Sequence, residues 1–232
     1  DARTHFGIFA PQVWKLFPKG QVIVLSFWDY NDVAAGYFAA ANIAAREPKV
    51  GVIVMEVARP DFVVADRSKF ADTDINAAAK GFYLIRDYDP SKPKHGVVVS
   101  QGSSSTVNLV DVLPKLEAAG VNVKVVSAIS EELFDRQSDD YKQSVLSDAE
   151  KFDMMVVTTG TRRVWPVTGV GPMTDEYSLT SDWDDQWLSG GTEDDVIKEA
   201  HLDKDSIFNA VKRFADDHDT RLSKQAAAFN GK

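Results

Sequence analysis

The sequence predicts an α/β fold built on parallel sheets, and three features predict it. Short apolar runs of strand length recur, helical stretches with cap and stop signals lie between them, and glycines mark the turns that join the two. Val22-Ile23-Val24-Leu25 and Gly51-Val52-Ile53-Val54-Met55 read as buried strands. Residues 33–46 between them read as a helix, capped at Asn31-Asp32 and ended before Pro48, with alanines, Tyr37, Phe38 and Ile43 suited to lying on a sheet. Strand, helix and strand form a βαβ unit, which implies parallel pairing through a right-handed crossover. Gly81-Phe82-Tyr83-Leu84-Ile85 is a third strand of this first block.

Two prolines and mixed charge in residues 87–95 mark a linker, and a second alternating block follows it. Residues 96–100 are a Val-rich strand, Gly102-Ser103-Ser104-Ser105 a turn, and residues 107–119 a helix with Leu109, Val110, Leu113 and Leu116 on one side, ended by Gly120. Residues 121–127 and 153–159 read as further strands, with a short helix opening at Ser130. Residues 160–191 are less regular and read as long loops with one short strand. Thr192 and Asp203 then cap two closing helices, the second bearing Ile207, Val211 and Phe214.

Composition narrows the function. At 232 residues with 44% hydrophobic and 26% charged residues the chain has the makeup of one or two ordinary globular cores, so disordered and collagen-like architectures are excluded. No apolar run approaches the roughly 18 to 20 residues of a membrane span. A net charge of −9 opposes the phosphate backbone, which argues against nucleic acid as a partner. The absence of cysteine removes disulfides and thiolate metal sites and fits a cytoplasmic protein. The opening Asp1-Ala2-Arg3-Thr4-His5, without an initiator Met, reads as part of something longer.

Each candidate for chemistry has a plainer structural explanation beside it. The four histidines, at 5, 95, 201 and 218, have no spacing that puts two on one helical face, so a zinc site is not expected. Asp1 and His5 place a carboxylate and an imidazole where one small molecule can meet both. Gly102, Ser103 and Ser104 follow a strand and open a helix, a place where backbone N–H groups favour an anion; serine capping explains the same residues without one. Arg59 follows a strand at its carboxyl end, where open parallel sheets place ligands, and a structural ion pair explains it nearly as well. Asp182, Asp184 and Asp185, around Trp183 and Trp187, suggest a cation or carbohydrate site or else a solvated loop. Residues 216–219 read as a solvated surface.

The order of motifs resembles the thiamine-diphosphate-dependent transketolases over most of the chain. Asp1-Ala2-Arg3-Thr4-His5 is similar to the family's Asp-x-x-Thr-His segment, Trp28-Asp29-Tyr30-Asn31-Asp32 to its Pro-x-Asp-x-Asn-Glu helix start, and Val57-Ala58-Arg59 to its strand ending in Thr/Ser-Arg-Gln. Residues 97–103 and 123–127 resemble the opening strands of its C-terminal domain, and Ser130-Glu131-Glu132-Leu133-Phe134-Asp135-Arg136-Gln137 resembles Ser-x-x-Leu-Phe-Asp-x-Gln. The chain departs from the pattern at Asp32, where Glu is usual, at Pro60, where Gln follows the arginine, and at Thr158-Thr159, where Glu-Ala is common.

The resemblance implies the end of a parallel-sheet pyrimidine-binding domain in residues 1–86, a linker in 87–95, and a Rossmann-like C-terminal domain in 96–232 whose mostly parallel sheet is flanked by helices. It implies that His5 contacts the sugar near the reacting carbon, that Asp1 recognises a substrate hydroxyl and that Arg59 holds the sugar phosphate. It further implies thiamine diphosphate and Mg²⁺ (or Ca²⁺) in the complete enzyme. No Gly-Asp-Gly motif is present, so cofactor binding falls to N-terminal domains of the same enzyme or to a companion subunit, in a complete enzyme expected to be a homodimer. The implied function is ketol transfer between sugar phosphates, with this piece inactive alone. The alternatives are an E1 component of a 2-oxoacid dehydrogenase and a non-catalytic regulatory or assembly module.

Overall fold

The computed structural model describes residues 13–57, 61, 63–161, 172–181 and 190–230. The first block holds β1 (Val22–Ser26), α1 (Tyr30–Arg46) and β2 (Val52–Glu56). Then come β3 (Phe82–Arg86), β4 (Val97–Gln101), α2 (Ser103–Ala118), β5 (Lys124–Ala128), α3 (Glu131–Phe134) and α4 (Asp139–Val145). The remainder is β6 (Met154–Thr158), α5 (Pro172–Tyr177), β7 (Leu179–Thr180), α6 (Glu193–Glu199), α7 (Lys204–Asp216) and α8 (His218–Phe229).

β1 and β2 pair in parallel, in register from Val22 with Val52 to Ser26 with Glu56. The other strands form a second sheet in the order β3-β5-β4-β6-β7, parallel except for β3. This is an α/β architecture with a mostly parallel five-stranded sheet flanked by helices. β4, β5 and β6 are buried along their whole length, as parallel strands covered on both faces must be. Their side chains divide by the two-residue period of a strand. Val98, Val125, Met155 and Val157 join a large core with Leu109, Leu116, Ile207 and Phe214 from α2 and α7, while Val97, Val99, Val126, Met154 and Val156 pack with Phe134, Val145 and Leu146 on the other face. The large core also takes in Ile23, Leu25 and Ala40, so the first block packs against the second.

Several readings change. β2, expected buried, is half-buried or exposed, α5 lies in the stretch expected as loops with one short strand, and α8 follows the helix expected to close the chain. Phe82–Arg86, expected as a third strand of the first block, pairs antiparallel with β5 at the edge of the second sheet, Phe82 facing Ala128. Strand patterning fixes that a segment is extended and leaves its partner open. α1 begins at Tyr30 with Asp29 as its N-cap residue, and neither Asp29 nor Asp32 caps it through a side chain because both carboxylates are engaged elsewhere. The serines expected as a turn form the first turn of α2, which begins four residues ahead of the helix read at 107.

The segment 87–95 has no regular secondary structure, yet it is held firmly. Asn122 is fully buried; its Oδ1 accepts from the Asp89 N–H at 2.9 Å, and its Nδ2 donates to the carbonyls of Asp89, Lys92 and Pro93 at 3.0, 3.2 and 3.0 Å. The Asn122 N–H donates to His95 Nδ1 at 3.1 Å, and the His95 N–H donates to the Asn122 carbonyl at 2.9 Å. Next to this clamp α8 docks through Arg221, which is fully buried and reaches Asp153 at 2.9 Å and the His95 carbonyl at 3.2 Å. Its guanidinium lies 3.6 Å from the Phe214 ring centroid. The 216–219 run is accordingly part of a helix junction, with His218 Nε2 3.5 Å from Asp153.

Asn122→Ala strands three carbonyls and an N–H, and is expected to cost about 2–4 kcal/mol in urea unfolding and to speed tryptic cleavage after Lys94. An unchanged cleavage rate would show that the clamp is dispensable. Burial, with His218 and Arg221 adding to it, holds the His95 imidazole below its ordinary value of 6.5, against the opposing pull of Asp216 and Asp219. Its contribution to stability is therefore fully present above 6.5 and is lost as the pH falls through the lowered folded value. Unfolding of His95→Asn should show a flatter pH dependence between about 7 and 5 than the unsubstituted chain.

Candidate functional site

The chain leaves β4 toward β5 on one side and leaves β6 toward β7 on the other, so the carboxyl ends of β4 and β6 flank the switch point where open α/β sheets bind ligands. Gly102 sits there with φ of +86°, a conformation that favours glycine, and any side chain at Gly102 would collide with that of Thr159 from the end of β6. The anion candidates Gly102, Ser103 and Ser104 are thus brought to the switch point.

The hydroxyls of Ser103 and Ser105 donate to carbonyls. Ser103 Oγ donates to the Phe27 carbonyl at 3.2 Å, tying the exit of β1 to the start of α2. Ser105 Oγ donates to the carbonyls of Gln101 and Gly102. Ser181 Oγ bonds the carbonyls of Thr159 and Gly160 at 2.8 and 2.9 Å, and the Gly160 N–H donates to Thr158 Oγ1 at 3.0 Å. No side chain caps α2, so serine capping does not describe the turn, and the Ser103 contact joins it to the exit of β1. Asp1, His5, Arg59, Asp182, Asp184 and Asp185 lie outside the described residues.

A buried polar cluster that sequence reasoning missed adjoins this joint. Asp32 is fully buried in the first turn of α1 and forms an ion pair with Arg67 Nη2. Tyr83 OH donates to Asp32 at 3.2 Å and accepts from Trp28 Nε1 at 2.7 Å and Arg67 Nη2 at 3.2 Å. Arg67 Nη1 donates to the Asp74 carbonyl at 3.4 Å, and Arg67 Nε lies 3.8 Å from Asp29. Asp29 in turn accepts from Asn31 Nδ2 at 2.8 Å and from the Ala65 N–H at 3.4 Å. Burial raises the Asp32 carboxyl to about 6 against the opposing pull of Arg67, and raises the Tyr83 phenol well above its ordinary value. The cluster carries no reactive nucleophile. It positions the segment that follows Arg59.

A mixed five-stranded sheet with an antiparallel edge, helices on both faces and a switch point beside a second parallel pair defines a doubly wound α/β protein. Comparison with known proteins points to one family. The profile of the transketolase-like TK C-terminal domain matches residues 81–174. A chloroplastic transketolase of Zea mays is 36% identical over 220 residues, covering 92% of this chain and 29% of that protein. A Pichia stipitis transketolase, solved in complex with sedoheptulose-7-phosphate, superposes with a TM-score of 0.68 at 20% identity, over 93% of this chain and 28% of that one. A split-gene transketolase described as an inactive beta4 tetramer superposes with a TM-score of 0.52 at 15% identity, over 90% of this chain and 62% of that one. Residues 81–174 thus match the transketolase C-terminal domain, and the chain is similar to transketolases over most of its length. It spans about 29% of the length of the maize relative.

Removing Arg67 leaves Asp32 buried without its cation, and Arg67→Met is expected to cost about 3–5 kcal/mol. Because the folded Asp32 value is raised from 3.8 to about 6, its contribution is fully present below 3.8 and is lost as the pH rises through 6. The chain should therefore gain stability relative to Asp32→Asn as the pH falls from about 7.5 to 4.5, by about 2 kcal/mol. Urea unfolding at the two pH values checks this, and a constant difference contradicts it.

Proposed function

We propose that this chain is the C-terminal part of a transketolase that transfers a two-carbon ketol unit between sugar phosphates, and that it is inactive without the segments that bind the cofactor. The observation that supports this beyond similarity to the family is an unfinished sheet. Two parallel strands do not make an independently stable sheet, and among the described residues β2 has only β1 as a partner strand. The far side of β1 is covered, since the Ser26 N–H donates to the Ile129 carbonyl at 2.8 Å and the Val24 N–H to Glu132 at 3.3 Å.

Of the 16 large apolar side chains exposed among the described residues, 10 fall between Val13 and Val57, so most of the uncovered apolar surface belongs to the first block. Phe38 and Val57 are 64% and 65% exposed. Such a surface marks a face that another layer covers. The rest of a pyrimidine-binding domain, from the same polypeptide or a companion subunit, supplies that layer in this proposal, and the complete enzyme is a homodimer.

Among the described residues no group of three or more acidic or histidine side chains is arranged to hold a metal ion. The switch-point turn spends the hydroxyls of Ser103 and Ser105 on carbonyls. These residues do not fit thiamine diphosphate or Mg²⁺ (or Ca²⁺), which the proposal assigns to the complementary segments. The chain's own contribution is substrate contact through Asp1, His5 and Arg59: a carboxylate and an imidazole read sugar hydroxyls, and a guanidinium pairs with the phosphate dianion.

The test is a coupled ketol-transfer assay with thiamine diphosphate and Mg²⁺, on the chain alone and mixed with a purified cofactor-binding segment. Activity is expected only in the mixture. There, His5→Ala and Arg59→Ala should lower turnover of phosphorylated donors about 10- to 100-fold with cofactor affinity nearly unchanged, the loss of one charge-assisted contact each. Full activity of His5→Ala would remove the role given to that residue. Silence of a stable, cofactor-loaded mixture would remove the proposed activity.

A further inference from the structure

A groove of about 1520 Å³ runs between the 61–71 segment and α2, with α6 and the first turn of α7 at its end. None of its lining residues belongs to β2, so it is separate from the unfinished sheet. Its volume exceeds the roughly 300–1,000 Å³ typical of a small-molecule pocket and suits a peptide segment. Its apolar lining includes Val63, Phe70, Val107, Val110, Leu113 and Ile197, and Val63 is 93% exposed.

The charged lining is predominantly acidic. Nine carboxylates face four cations around the groove. Asp111 is paired with Lys204 at 2.7 Å and Asp205 with Lys115 at 3.3 Å, while Asp61, Glu117, Glu193 and Asp194 have no cation partner among the described residues. A third feature is a hydrogen-bond acceptor in the wall. Pro114 lies inside α2 and has no N–H, so the Val110 carbonyl lacks its usual donor one turn on, and both residues line the groove.

An apolar floor, an uncompensated acidic rim and a spare carbonyl together select an occupant with an apolar face flanked by cationic donors. We infer that the groove docks a Lys- and Arg-bearing amphipathic segment of a partner protein. The mode is a helix laid in a groove: apolar side chains at i, i+3, i+4 and i+7 meet the α2 face, and lysines or arginines reach the rim carboxylates. Ion pairs at such a rim contribute specificity and association rate, so binding weakens as salt rises.

The test is fluorescence anisotropy on the full chain with a labelled synthetic peptide of about 14 residues, roughly four helical turns of Leu and Lys at that spacing. Saturable binding is expected, weakened at least about tenfold by the triple substitution Glu117→Lys, Glu193→Lys, Asp194→Lys and about fivefold by Val63→Ser. The control Asp139→Lys, Asp140→Lys, Asp219→Lys changes net charge by the same amount away from the groove and should leave affinity within about twofold. Circular dichroism of each variant establishes that it is folded. Equal losses in the two triple variants would reduce the effect to overall charge and overturn the inference, as would failure of the peptide to saturate. A dimer in sedimentation that the groove substitutions alone dissociate, with peptide affinity unchanged, would assign the groove to a second copy and overturn it as well.

Discussion

A carboxylate and a guanidinium withdrawn from water together cost several kcal/mol unless other groups bond them, and the pair Asp32 and Arg67 recruits such groups from across the chain, with Arg67 Nε alone left without a hydrogen bond. Asp32 comes from the first turn of α1, Arg67 from the segment after β2, and the Tyr83 hydroxyl that bonds both comes from β3 of the second sheet. Trp28, at the exit of β1, closes the set through its indole N–H. One ion pair therefore ties the first block to the edge of the second sheet. It also explains why the helix start does not use Asp32 as a cap.

The two sheets are finished to different degrees. The five-stranded sheet has two covered faces and strands buried throughout, whereas β2 is half-buried or exposed along its length. The burial of the first block comes mostly from the second, through the shared core and through Ser103, whose hydroxyl reaches back to the Phe27 carbonyl. At the switch point the turn is filled by this internal joint. The five-stranded sheet is a platform on which β1, α1 and β2 pack.

Much of this architecture was legible in the sequence, for identifiable reasons. Parallel strands covered on both faces must be continuous apolar runs, so β1, β4, β5 and β6 stood out. The starts of α6 and α7 were legible because Thr192 and Asp203 accept from N–H groups two or three residues away, a purely local signal. What was missed depends on distance along the chain. Asp32 meets Arg67 across 35 residues and Tyr83 across 51, and no local pattern announces such a meeting. Arg221 was hidden because an arginine in an acidic, polar stretch resembles a solvated helix, while its partner Asp153 lies 68 residues earlier. The serines of Ser103–Ser105 suggested an anion site or a cap, since their composition is the same whether the hydroxyls face a ligand, a helix N–H or a carbonyl from another sheet. Asp1, His5 and Arg59 rest on the order of motifs.

The clamp made by Asn122 bears on how such a chain would meet the layer proposed to cover its first block. A segment that reads as a linker joins β3 to β4 within the finished sheet and is fixed at Asp89, Lys92, Pro93 and His95 by one buried residue, while the shared core and the Asp32, Arg67 and Tyr83 contacts hold the unfinished strands to that sheet. Association then freezes few internal rotations, and most of the entropy lost is that of bringing two rigid bodies together. The complementary surface is presented already formed, as it is between preorganised partners whose backbones move little on binding.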